Sequence, residues 1–151
     1  MEIDYDWFIP AIAAFFIGLL TGSLLLEGLV LVPFWKKLKP REFFSFHPIF
    51  GQQLFRYFAP LTVLAVIFPI ISAFWSGGSN IGLNISAGTS LILLSFFPFY
   101  SKGANDAFSN GQVSAEELPQ RLAQWQKVHA LRMVVSVAAF GSALVGVHAT
   151  S

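Results

Sequence analysis

A carboxylate, Glu27, lies inside an apolar run that extends from residue 8 to residue 35. A helix needs only about 20 mostly apolar residues to cross a bilayer, and an ionisable group at that depth must offset a large desolvation cost. Glu27 precedes Pro33 and a basic segment, which sets it roughly 10 Å deep at helical rise. Two roles suit it: an ion pair with Arg132 at a similar depth, or a proton relay or general base. Both require Glu27 to face inward.

Trp125, His129 and Arg132 stand at i, i+4 and i+7, so a helix presents them on one face. A guanidinium holds a carboxylate or oxyanion in fork geometry, an imidazole exchanges protons near neutral pH, and an indole stacks on a planar ligand. Together they suit an aromatic or anionic substrate. Their plainer roles are an interfacial indole, an arginine reaching to headgroups and a hydrogen-bonded histidine. Asn105, in Lys102-Gly-Ala-Asn-Asp106, falls on the same side and offers either a neutral hydrogen bond to a ligand or a turn cap.

His47 and His129 are a weak pair for haem or another metal. Neither has a carboxylate at ligand spacing, there is no H-E-x-x-H, and no metal site is expected. Cysteine is absent, which excludes disulfides, thiolate ligands and thiol catalysis. No cofactor is specified by these residues.

The elements that carry these groups are expected to be four membrane spans near residues 8–34, 57–75, 84–101 and 127–148. Of the 151 residues, 55% are hydrophobic and 11% charged, against roughly 25% charged in ordinary soluble domains. Backbone groups in lipid must be paired internally, so the fold class is an all-α integral membrane antiparallel four-helix bundle, a single domain over 1–151. The first run follows acidic residues without a basic flank or cleavage site and reads as a retained helix.

All nine Lys and Arg fall in residues 36–56 or 102–132, while Glu2, Asp4 and Asp6 precede the first span and Ser76–Ser86 is uncharged. The bias of basic residues toward the cytoplasm puts both large loops there and both termini outside. Lys36, Lys37, Lys39 and Arg41, followed by Phe43, Phe44, Phe46 and Phe50, read as an interfacial segment on anionic lipid; no nucleic-acid motif accompanies them.

Gly18 and Gly22, and Ala138, Ser142 and Gly146, form small-residue stripes suited to close helix contact. Pro60, Pro69 and Pro98 bend the second and third spans and can open space between helices. Ser114-Ala-Glu-Glu117 fits a capping box, and Pro119 alternatively marks the first turn of a helix that begins later.

A glycine-rich first helix ending in Val-Pro (Gly18 to Pro33), Asn105 after the third helix and Leu122-x-x-Trp125-x-x-x-His129-Ala-Leu-Arg132 together resemble the anthrone-oxygenase-like family of small four-helix membrane proteins. The resemblance implies a four-helix bundle. For some relatives it also implies oxygenation of an anthrone without an obvious cofactor, with His129 as base and Asn105 and Arg132 stabilising the oxyanion. Glu27 is not assigned by that pattern. The expected partners are the bilayer, a lipophilic aromatic or quinol-like substrate and other membrane proteins. The alternative function is a noncatalytic accessory subunit of a larger membrane complex. A small-solute or proton carrier that uses Glu27 is a third class, for which no internal repeat is visible.

Overall fold

The structure is a computed structural model that describes residues 6–150; Glu2 and Asp4 lie outside the described residues. Four long helices account for nearly all of it, and no strand occurs among the described residues. They are α1 (Phe8–Trp35), α2 (Pro40–Trp75), α3 (Ile81–Ser109) and α4 (Leu118–His148), each long and apolar enough to cross a membrane.

Three of the four begin or continue further than hydropathy alone indicates. The expected first loop, Lys36–Arg56, is mostly helix, because α2 starts at Pro40. Glu42 caps this start by accepting a hydrogen bond from the Lys39 N–H at 2.8 Å. Phe43, expected at an interface, is wholly buried against Phe108 and His47. Helix α3 runs on to Ser109, and α4 begins at Leu118 rather than near residue 127. Charged residues end an apolar window without ending a helix, provided one face still packs.

The α4 start follows the later alternative, at Leu118, and the capping-box bonds lie in the turn before it. Ser114 and Glu117 exchange hydrogen bonds, 3.1 Å from the Ser114 N–H and 3.3 Å to the Ser114 hydroxyl, and Pro119 occupies the first turn just after them. At the far end Asn80 caps α3: its Oδ1 accepts from the Leu83 N–H, and its Nδ2 donates to the Gly146 carbonyl at 2.9 Å.

Helices α1 and α3 each pack along both α2 and α4, which closes a ring of four. Sequential contacts run in opposite senses on α1 and α4. Gly18 lies under Phe140, the Thr21 hydroxyl donates to the Ser136 carbonyl at 3.0 Å, and Leu24 meets His129. One core cluster (Ile17, Leu20, Leu24, Leu61, Ala65, Leu93, Ala139) fills the half nearer the termini. A second (Val32, Trp35, Phe43, Phe108, Leu118, Leu122, Trp125) fills the other half.

The small-residue stripes are redistributed. Gly18 faces Phe140, but Gly22 is exposed with nothing within 4 Å of an added Cβ. On α4, Ala138 is exposed, and Ala139, Ala143 and Gly146 make the buried line. Gly146 and Gly82 face each other across a tight helix crossing, where an added Cβ on Gly82 would stand 2.7 Å from the Gly146 nitrogen. The sequence pattern missed Gly82 because its partner stripe lies on another helix.

Candidate functional site

Two prolines shape the site. Pro33 and Pro98 have no N–H to donate to the carbonyl four residues earlier, and in each helix the chain widens into a single π-helical turn beside them. In α1 this turn is Glu27–Leu31, closed by a bond from the Val32 N–H to the Glu27 carbonyl. In α3 it is Phe97–Ser101, closed by Lys102 to Phe97. Such turns re-aim side chains and recur at functional sites.

Between them lies a cavity of about 220 Å³. Glu27 and Trp35 from α1, His47 from α2, Ser101 and Asn105 from α3, and Trp125 and Arg132 from α4 contribute its polar and aromatic wall. Phe55, Phe58, Leu93 and Phe97 make much of the rest. Four of the five residues singled out by sequence therefore share one cavity: Glu27, Asn105, Trp125 and Arg132.

His129 is placed differently. It is 1% exposed and stands behind the wall, not on it. Its Nε2 donates to the Leu24 carbonyl at 2.9 Å. A carbonyl only accepts, so in the neutral ring the hydrogen is on Nε2 and Nδ1 carries the lone pair. Nδ1 lies 3.7 Å from Oε2 of Glu27, longer than a hydrogen bond, so the two groups are neighbours without a hydrogen bond between them. His129 thus approaches Glu27 from behind the cavity wall. Gly28 makes this approach feasible, since a Cβ there would collide with Met133 and press on the His129 ring.

Arg132 does not form an ion pair with Glu27 within 4 Å; the Glu27 contact is to His129. Trp125 is 4% exposed and stacks on His129 at 4.8 Å and 11°, so one face of the indole is already covered. Trp35 meets its edge at 5.7 Å.

Three of the four buried polar side-chain atoms without a hydrogen bond among the described residues belong to this neighbourhood: Trp35 Nε1, His129 Nδ1 and Arg132 Nε. Leaving such a group unpaired costs about 1–3 kcal/mol, so their clustering is what a site for a polar ligand group looks like.

Sequence reasoning did not place Trp35, Ser101 or His47 at this site. His47 is 5% exposed, bonds Ser109 Oγ through Nδ1 at 3.2 Å and sits against the Phe43 and Phe108 rings. Its position in a supposed loop hid it; a helical reading of residues 40–56 puts His47 and Phe43 on one face. No cluster of three or more His, Cys, Asp or Glu suited to a metal occurs among the described residues.

No protein-family description, curated protein or solved structure matches this chain. The cavity and its wall are the ground on which a function can rest.

Proposed function

We propose that this chain is a multi-pass membrane protein that binds a lipophilic aromatic compound in the cavity and oxygenates it with dioxygen as the oxidant. The observation that carries the reading is Glu27: a carboxylate 6% exposed, without a hydrogen bond to its side chain among the described residues, in a cavity walled by aromatic rings, a guanidinium and an amide. A buried carboxylate of this kind is costly to keep and suits proton removal from an apolar substrate.

Glu27 takes a proton from a ring-activated methylene, and Arg132 and Asn105 hold the negative charge that moves onto the substrate oxygen. The carbanion passes electrons to dioxygen. Overall CH2 plus O2 gives C=O plus water, with one oxygen atom retained in the carbonyl and the other leaving as water. His129, with Nδ1 3.7 Å behind the carboxylate, is a positioning residue. The Leu122 to Arg132 motif that resembles the anthrone-oxygenase-like family supports this chemistry, with Glu27 in place of His129 as the first proton acceptor.

Membrane integration is supported by the exterior. Phe15, Leu29, Phe74, Ile81, Phe99 and Val134 are all more than half exposed, a surface far too apolar for water. The α1–α2 and α3–α4 junctions share one end, tied by a Lys36 to Gln126 hydrogen bond of 2.9 Å, and this basic end is assigned to the cytoplasm.

The test is dioxygen uptake by the purified protein in lipid nanodiscs supplied with anthrone, followed with appearance of the anthraquinone. Glu27→Gln is expected to lower turnover about 10²- to 10⁴-fold with the elution profile retained. Wild-type protein that consumes no dioxygen above the uncatalysed rate would sink the oxygenase reading, and a stable partner chain after gentle extraction would put the accessory-subunit reading in its place.

A further inference from the structure

The walls of the cavity change character with depth. Its floor is drawn from all four helices and includes Glu27, Trp35 and Trp125, 6%, 3% and 4% exposed. Its rim comes from α2 and α3 alone and includes Phe55, Val63 and Leu94, 51%, 49% and 39% exposed. Polar groups are at the bottom, and apolar side chains that already face outward are at the mouth.

The opposite seam is shut. Between α1 and α4, Gly28 is pressed against Met133 and His129, and Thr21 and Leu24 are bonded to α4. Toward the basic end, a second hollow of about 370 Å³ contains Gln52, Lys102, Asp106 and Ser109. It shares His47, Gly51, Phe55, Phe97 and Asn105 with the first cavity. The Phe55 and Phe97 rings stack across α2 and α3 at 5.5 Å and 29°. The stacked pair forms part of the boundary between the aromatic cavity and the charged hollow, in which Lys102 and Asp106 form a 2.9 Å ion pair.

The volume of the cavity limits what it can enclose. An apolar cavity of about 150 Å³ accepts one benzene, so about 220 Å³ holds one or two rings, and anything longer must protrude through the rim.

We infer that the cavity fills sideways from the bilayer: an elongated lipophilic compound passes between α2 and α3, seats its proton-bearing ring beside Glu27 and leaves an apolar tail between Phe55, Val63 and Leu94. This deepens the functional reading above and rests on it for the ring's chemistry, but the route stands on geometry alone. Ala59 and Thr62, small side chains in the cavity wall on α2, leave the gap through which the tail lies.

The experiment uses the chain's own indoles. In a Trp7→Phe/Trp75→Phe protein the remaining tryptophans are Trp35 and Trp125, both on the cavity floor. In phosphatidylcholine vesicles with bromine at mid-chain, their emission is expected to be quenched more than by aqueous acrylamide. Ala59→Phe, or Val63→Phe if the first variant does not fold, is expected to remove most of that quenching. The same substitution is expected to weaken binding of a decyl-substituted benzoquinone about tenfold and to leave its methyl analogue unchanged.

Strong acrylamide quenching with none from brominated lipid would overturn the route, as would equal weakening of both quinones or of neither. If neither quinone binds while brominated lipid still reaches the indoles, the opening stands and the ring-binding reading fails. If Glu27→Gln abolishes turnover and the narrowing variants change nothing, the opposite holds.

Discussion

The two ends of this bundle solve helix packing in contrary ways. At the end that holds Gly82 and Gly146, small residues let backbones touch, and Ser72, Ser86, Ser90 and Ser136 are buried with side chains too short to hold anything apart. At the end that holds Trp35, Phe43, Phe108 and Trp125, rings separate the helices, and Glu27, His47 and His129 are buried among them. The first end minimises volume. The second encloses it, and carries every Lys and Arg of the chain. Close packing gives a rigid base, on which a cavity with costly buried polar groups can be maintained.

This contrast is broken most severely at the tight end. Gly82→Leu would force side-chain atoms into the α4 backbone, which has no flexible end to yield. Thermal unfolding in detergent is expected to show a loss of about 3 kcal/mol; a loss below that of an ordinary surface substitution would mean that the helices are not in contact there.

At the open end a substitution with opposite effects on activity and stability is expected. Glu27→Gln removes a buried charge that lacks a hydrogen bond among the described residues, so its melting temperature is expected to equal or exceed that of the wild type while turnover collapses. Simultaneous loss of both would make Glu27 a packing residue. His129→Ala removes the bond to Leu24 and the stacking partner of Trp125, and is expected to cost about 2–3 kcal/mol. Its turnover should fall less than that of Glu27→Gln, because His129 stands behind the carboxylate and off the cavity wall. A larger fall would restore it as the primary base.

Gly28 joins the two regimes. Gly28→Ala is expected to cost about 1–2 kcal/mol through its collision with Met133, and Met133→Ala in the same chain should recover most of it, since a thioether is a flexible neighbour. The smallest effect is expected at Gly22, which faces outward and meets nothing. Gly22→Ala should leave stability unchanged or raise it by up to about 1 kcal/mol; destabilisation would reveal a contact with a second molecule on that face.

The four helices were legible because each contains an apolar stretch that only a helix can satisfy in lipid. Their ends were not, because Pro40–Arg56 and Leu118–Gln126 are amphipathic, and the hydropathy of such a segment averages out although one face is buried. That blind spot hid His47 and Phe43. The i, i+4, i+7 spacing of Trp125, His129 and Arg132 put them on one face of α4 but did not say which of the three would line the cavity. Trp125 and Arg132 line the cavity, and His129 is packed against Gly28 behind it. The π-helical turns were invisible, because a proline announces a disturbance without announcing whether the chain kinks, tightens or widens.

The widened turn at Glu27–Leu31 also makes the site sensitive to chain length. A π-helical turn holds one residue more than the α-helical turn it replaces, so α1 can shed that residue without losing its phase on either side. Deletion of Leu29, which is 67% exposed, would shorten the turn to α-helical length, with Pro33 still lacking a donor. Leu24 would keep its place in the terminal half, and Val32 and Trp35 theirs in the other, while the side chains of the turn itself, Glu27 among them, would be aimed anew. The carboxylate can thus be brought to the cavity or taken from it by insertion or deletion, a path of change that leaves both cores intact and substitutes no residue in them.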